Sequence, residues 1–291
     1  VGRACEAFFC TAQARVVAHG FIWHLLAETF WLDLAPGLAE KLVRHLGRYL
    51  ISEQVELADR TAEHAQLHLA GPKAKETLDR ATNGQAPDLG ELQCATLALG
   101  EGSPLQIRRN GLLGLSGYDL VCPGTAAGLL REALARAGAQ PAGTEAYHTL
   151  RVEAGTPFYG PDIDDSRFAF EAGRTRQAIC YTKGCYLGQE PIVMARDRGQ
   201  ANRTLTGVRI AGEGPVPHGA KLFRDGSEVG MVTSSVLSPL AGAVVGLAYV
   251  RRGHHEPGTK LEVEAGGGRL PAEVSSLPFS GGGTRNSISS M

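Results

Sequence analysis

No apolar run in this 291-residue chain reaches the roughly 18 residues that a membrane helix needs. The most apolar stretch, 16–34, is interrupted by His19, His24, Glu28 and Asp33. Neither sign of charge is in excess, since 29 basic and 30 acidic residues give a formal net charge of -1. That balance excludes a nucleic-acid binder working through bulk electrostatics and leaves room only for a local basic patch. The first residues lack a basic stretch followed by an apolar core, so no secretory signal is read. The six cysteines, at 5, 10, 94, 122, 180 and 185, include no C-x-x-C pair. Thiols in a reducing compartment are therefore expected, which points to the cytoplasm. Cys180 and Cys185 have no His or second Cys pair beside them to complete a tetrahedral set, and no metal is expected. No glycine loop follows a strand and opens a helix, which argues against a nucleotide cofactor.

What is present suffices for a packed core: 43% of residues are hydrophobic. Residues 15–34 read as two half-buried strands. Pro36 then opens a helix whose stripe is Leu38, Leu42, Leu46 and Leu50. Strands are expected over 55–57, 65–69, 92–99 and 106–115, with a short helix from Gly71-Pro72 to Arg80. Helices follow over 123–137, closed by Gly138, and over 145–153. Residues 155–168 read as loop, and 191–195 as a short helix. After Arg203 the texture changes to six short strand-like runs in about 75 residues, separated by turns such as Asp225-Gly226 and Pro257-Gly258. This pattern suggests a small barrel or sandwich. The chain begins with Val, and its first residues already read as the inside of a fold. A preceding segment is therefore expected.

One stretch is not explained by packing. Lys183-Gly184-Cys185-Tyr186-Leu187-Gly188-Gln189-Glu190 puts a thiol two residues from a cation, between two glycines. Glycine lets backbone approach a ligand or partner closely, and a nearby cation favours thiolate over thiol. The octapeptide resembles the K-G-C-Y-x-G-Q-E signature of the YgfZ family. These are folate-binding proteins related to the T-protein (aminomethyltransferase) of the glycine cleavage system. A second run, Arg151-Val152-Glu153-Ala154-Gly155-Thr156-Pro157 with Gly160 and Asp162, is similar to the R-x-E-x-G-x-P-x-x-G-x-D stretch of the T-protein superfamily. Asp225-Gly226, Val229-Gly230, Val232-Thr233-Ser234, Ser238-Pro239 and Ala248-Tyr249-Val250 resemble the C-terminal barrel of T-proteins.

The resemblance implies an α+β fold in three parts. A T-protein-like folate-binding domain spans 1–204, a small β-barrel 205–279, and a disordered tail 280–291. It implies tetrahydrofolate, or a one-carbon derivative, as cofactor, with Glu153 holding the pterin. A pterin edge offers an N–H and an NH2 together, and a carboxylate accepts both. The other reading of Glu153 is a local partner for Arg151 or a loop cap. Two readings are open for Cys185: a reactive thiol assisted by Lys183, or a small residue in a tight turn. Lys183 and Glu190 either serve the site or pair to shape the loop, and Gln189 lines the cavity or satisfies the turn. Arg196, Arg198 and Arg203, around Gly199, suit the carboxylates of a folate glutamate tail, a solvated linker face or an acidic partner. The full expected set is Cys185 and Lys183 for chemistry, and Glu153, Arg151, Gln189, Glu190, Arg196 and Arg203 for folate.

Function is then expected to be of the YgfZ type, supporting iron–sulfur cluster assembly or repair and the tRNA modification linked to it. The alternatives are a folate-dependent aminomethyltransferase or a non-catalytic adaptor. Folate and cluster-containing or cluster-assembly proteins are the expected partners, with no membrane and no direct nucleic-acid contact. Two departures stand out. Ala14 sits where relatives often carry Gly before the Arg, and an Asn-Ala pair ahead of a catalytic Asp is not seen in 28–45.

Overall fold

The computed structural model describes residues 1–100, 102–199 and 201–279. The tail expected to be disordered lies outside them. The chain forms two compact units.

Unit 1 comprises Val1–Phe9, Val17–Ala142 and Gln177–Ile179. Strands β1 (Arg3–Cys10), β2 (Val16–Leu26) and β3 (Thr29–Leu34) form one sheet in that order. β2 and β3 match the two expected strands; β1 is not anticipated. Helix α1 (Ala39–Gly47) follows, with Leu42 on its buried face and a Glu40–Arg44 pair one turn apart outside. Residues 53–60 are irregular and mostly exposed, so the strand expected at 55–57 is absent. Val55 and Leu57 share a face, but with Glu53 and Asp59 on either side of them on that face, the run stays mostly exposed.

A four-stranded antiparallel sheet is built from β4 (His64–Ala70), β5 (Cys94–Leu99), β6 (Ser103–Arg109) and β7 (Gly117–Pro123), in the order β4-β7-β6-β5. Helices α2 (Ala74–Ala81) and α3 (Ala127–Arg136) contribute Leu78, Leu130 and Leu134 to a core with Leu105, Ile107, Tyr118 and Leu120. β7 is buried along almost its whole length, which removes the alternation that marks a half-exposed strand. Two polar sets are buried here. His68 Nδ1 and Asp119 Oδ1 lie 2.7 Å apart, while Asn110 donates to the other Asp119 oxygen at 2.7 Å. Arg108, fully buried, donates to Asp33 at 2.5 Å and to Gln106.

Unit 2 comprises Cys10–Val16, Gly143–Arg176 and the chain from Cys180 onward. Its helices are α4 (Thr144–Glu153) and α6 (Gln189–Arg198); the short α5 (Thr175–Ala178) is divided between the two units. Six strands then close a barrel: β8 (Arg203–Ile210), β9 (Lys221–Arg224), β10 (Ser227–Ser238), β11 (Ala243–Arg251), β12 (Lys260–Ala265) and β13 (Gly268–Ser275). Their order is β10-β11-β8-β13-β12-β9, and all pairs are antiparallel. Val208, Leu222, Val232, Val244, Val250, Val263 and Val274 fill it. The β9–β10 hairpin turns on Asp225 and Gly226, with φ of 50° and 79°. Two consecutive positive values are what a two-residue hairpin loop needs. Among the described residues no helix is long and apolar enough to cross a membrane.

Candidate functional site

The last turn of α4 buries Arg151, Val152 and Glu153 together. Both charged residues find hydrogen-bond partners within unit 2. Arg151 donates to Asp162 Oδ2 at 2.7 Å, to Ser234 Oγ at 2.8 Å and to His148 Nδ1 at 2.9 Å. Burial, and then the Arg151 charge, hold the His148 imidazole below its ordinary value. Neutral His148 is what the last contact requires, because Nδ1 must accept. The Phe158 N–H also donates to Asp162 Oδ2, and the Thr233 and Ser234 hydroxyls donate to Oδ1 at 2.6 and 2.7 Å. Arg151, expected among the folate ligands, is thus committed to an internal network.

Glu153 accepts at Oε1 from Ser238 Oγ at 2.6 Å and from the Leu240 N–H at 3.2 Å. Its backbone carbonyl accepts from the Phe279 N–H at 2.8 Å. Helix, barrel strand and C-terminal segment therefore all fix this carboxylate. Among the described residues no hydrogen bond reaches its Oε2. The alternative pairing of Glu153 with Arg151 is not formed; Arg151 takes Asp162 instead.

The Lys183–Glu190 stretch is a loop leading into α6. Gly188, just before the helix, has φ 83°, and a Cβ there would lie 2.7 Å from the Thr11 carbonyl oxygen. Here glycine is required twice, by conformation and by close approach. The Lys183 ammonium sits 4.5 Å from the Tyr186 ring centre rather than on Glu190, which is exposed. Cys185 is exposed. The Gln189 N–H donates to the Tyr186 carbonyl at 3.1 Å. Arg196 lies over the Tyr181 ring and pairs with Asp197 at 2.6 Å. Arg203 is half exposed and 3.9 Å from buried Glu171.

Sequence reading does not find two features. Thiolate-favouring groups gather on Cys180, which sits outside the signature. The Thr182 hydroxyl, 3.6 Å away, and the N–H groups of Thr182 and Lys183 pull that thiol below its ordinary value. Burial, by contrast, pushes Cys10 up to about 12. The second feature is Arg167, whose guanidinium lies 4.0 Å from the Tyr249 ring centre, with both residues buried. Burial raises the Glu171 carboxyl, and the Arg203, Arg167 and Arg15 charges only partly offset this. No spacing rule marks Arg167 or Glu171, because a loop and a short turn bring them to the barrel.

Residues 1–178 match the family model described as the GCVT N-terminal domain, and residues 203–280 match the glycine cleavage T-protein C-terminal barrel domain. An aminomethyltransferase of Geobacillus kaustophilus is 35% identical over 285 residues, covering 96% of this chain and 77% of that protein. One of Rubrobacter xylanophilus is 33% identical over 280 residues, covering 96% and 73%. The crystal structure of the glycine cleavage system aminomethyltransferase T of Bartonella henselae superposes with a TM-score of 0.85 at 24% identity, covering 96% of this chain and 76% of that one. That likeness carries the fold, an α+β assembly followed by a closed barrel. The two domain matches and the 35% identity show the family: this chain belongs to the glycine cleavage T-protein (GCVT) family.

Proposed function

We propose that this chain binds tetrahydrofolate, or a one-carbon derivative, through Glu153 and acts as a folate-dependent one-carbon transferase of the aminomethyltransferase kind. The observation that carries the proposal is the state of Glu153. It is a buried carboxylate whose hydrogen bonds with Ser238 and Leu240 both fall on Oε1. A pterin edge supplies the donors its other oxygen lacks among the described residues. The names of the relatives at 33% and 35% identity support aminomethyl transfer as the reaction. Arg196 and Arg203, both half exposed, suit the carboxylates of the glutamate tail. Gln189, at the start of α6, and Glu190 complete the proposed folate set.

A second reading rests on the octapeptide Lys183–Glu190. It is the YgfZ reading: folate binding in support of iron–sulfur cluster assembly or repair and linked tRNA modification, with cluster-containing proteins as partners. The exposed thiol of Cys185 beside Lys183 favours it, since a partner protein can reach that thiol.

Anaerobic calorimetric titration of tetrahydrofolate into the full-length chain and its Glu153→Ala variant tests the shared part. Micromolar binding that Glu153→Ala removes is expected. No binding by the unaltered chain discards both readings. The two are separated by methylene transfer to tetrahydrofolate from a lipoyl-bound aminomethyl donor. Turnover establishes the first; binding without turnover favours the second. Cluster-enzyme activity that Cys185→Ala leaves unchanged in a dependent strain would sink the role of that thiol.

A further inference from the structure

Unit 2 carries two thiols on one exposed loop. Cys180 and Cys185 are both exposed and reduced. Between them the chain bends through residues 181–184. Four consecutive bends over only four intervening residues make this a tightly curved loop. A disulfide requires Cα atoms only about 4.4–6.8 Å apart, so bridging residues five apart needs a curved chain between them, as the bends at 181–184 provide.

The two sulfurs have different surroundings. The Cys180 sulfur is 3.6 Å from the Thr182 hydroxyl and faces the backbone N–H groups of Thr182 and Lys183, with the Lys183 charge nearby. Such a cluster of donors stabilises a negative sulfur. The buried thiols Cys10, Cys94 and Cys122 sit where burial opposes ionisation.

We propose that Cys180 is a peroxide-reactive thiolate and that Cys185 resolves it, making the 180–185 loop a reversible thiol–disulfide site. In the first step the Cys180 thiolate attacks one oxygen of a hydroperoxide. An S–O bond forms, the O–O bond breaks, and the departing alkoxide or hydroxide takes a proton from solvent. In the second step the Cys185 thiolate attacks the Cys180 sulfur. An S–S bond forms, the S–O bond breaks, and hydroxide leaves as water with the proton that Cys185 gave up. The sulfurs lose two electrons together and the hydroperoxide gains them. A low-molecular-weight thiol restores both cysteines by exchange. The closed loop would tether Lys183 and Tyr186 just ahead of α6.

The sequence makes the test direct. Trypsin cleaves after Arg176, Lys183 and Arg196, which puts Cys180 and Cys185 on separate peptides joined only by the proposed bond. Reduced full-length protein is exposed to one equivalent of hydrogen peroxide, alkylated and mapped without reductant. Peptides 177–183 and 184–196 are expected as one linked species. Cys185→Ser should accumulate a Cys180 sulfenic acid that dimedone traps. Thr182→Ala, which keeps the thiol but loses a donor, should slow oxidation roughly three- to ten-fold, one hydrogen bond's effect. Cys180→Ser oxidising at the rate of the unaltered chain would overturn the proposal. So would dimedone capture at Cys185 instead of Cys180, or a disulfide from Cys180 to Cys5.

Discussion

Thr233 and Ser234 are consecutive on β10, yet both hydroxyls donate to the same oxygen of Asp162, at 2.6 and 2.7 Å. Successive strand residues normally face opposite ways. The register explains the exception: Val232 pairs with Ala248 and Ser234 with Leu247, so one residue of β10 is extra at this point. That bulge turns both hydroxyls toward α4 and its loop. Thr233→Val and Ser234→Ala should each cost about 1–2 kcal/mol in chemical denaturation. Because they share an acceptor, the double variant should cost measurably less or more than the sum. Strict additivity would show that the two bonds are independent.

Asp162→Ala should be far more damaging than either. It leaves the Arg151 guanidinium, only 4% exposed, without its counter-charge. Breaking a buried pair from one side costs about 3–5 kcal/mol. A loss below about 1 kcal/mol would mean that water or another carboxylate replaces Asp162.

Acid should weaken unit 2 through His148. The fold holds this imidazole below its ordinary value of 6.5, so the unfolded chain takes up the proton first. The stability gained from keeping His148 neutral is complete above that value. It is lost as pH falls from there toward the folded value. The denaturant midpoint should therefore drop between about pH 7 and pH 5. His148→Gln, whose amide oxygen can still accept from Arg151, should flatten the drop. An unchanged slope would assign it to other groups.

Ala14 and Gly188 meet at the approach to the signature loop. Ala14 is buried with φ 62°, a left-handed conformation that costs an alanine about 1–2 kcal/mol. Ala14→Gly should raise thermal stability modestly, since glycine's larger unfolded entropy offsets part of the relief. Gly188→Ala should lower stability by more than about 2 kcal/mol, through strain and through the Thr11 carbonyl. A tolerated Gly188→Ala would mean that the loop shifts easily.

Cys10 should resist iodoacetamide at neutral pH in the folded protein and react only after denaturation. Its thiol is pushed up to about 12 by burial, against the weaker pull of Lys183. Rapid labelling of Cys10 without denaturant would mean that this end of β1 opens readily.

Much of the fold is legible where residues act locally. Asp225-Gly226 announces a hairpin, and the strand expected after it is β10, although the structure extends it to Ser238. Gly138 closes α3 as expected, with φ 96°. β7 is not legible because a strand buried on both faces has no period to detect. Glu153 is legible as a candidate from its motif. The residues that hold it and its neighbour Arg151 are not, because Ser238 is 85 positions from Glu153 and Asp162, the partner of Arg151, recruits its donors through a bulge that only strand register reveals. Cys180 escapes notice for another reason: its surroundings come from backbone N–H groups, which every residue but proline has and only the turn aims.

The first strand of the barrel, β8, pairs with the last, β13. On a ribosome, residues 203–210 therefore wait for residues 268–275 before they acquire that neighbour. Phe279, which anchors the Glu153 backbone, emerges later still. Everything that steadies the Glu153 carboxylate from the barrel side thus follows it by 85 residues or more. During synthesis the nascent molecule carries unpaired strand edges, a state open to chaperone capture, until residues 268–275 have emerged to close the barrel.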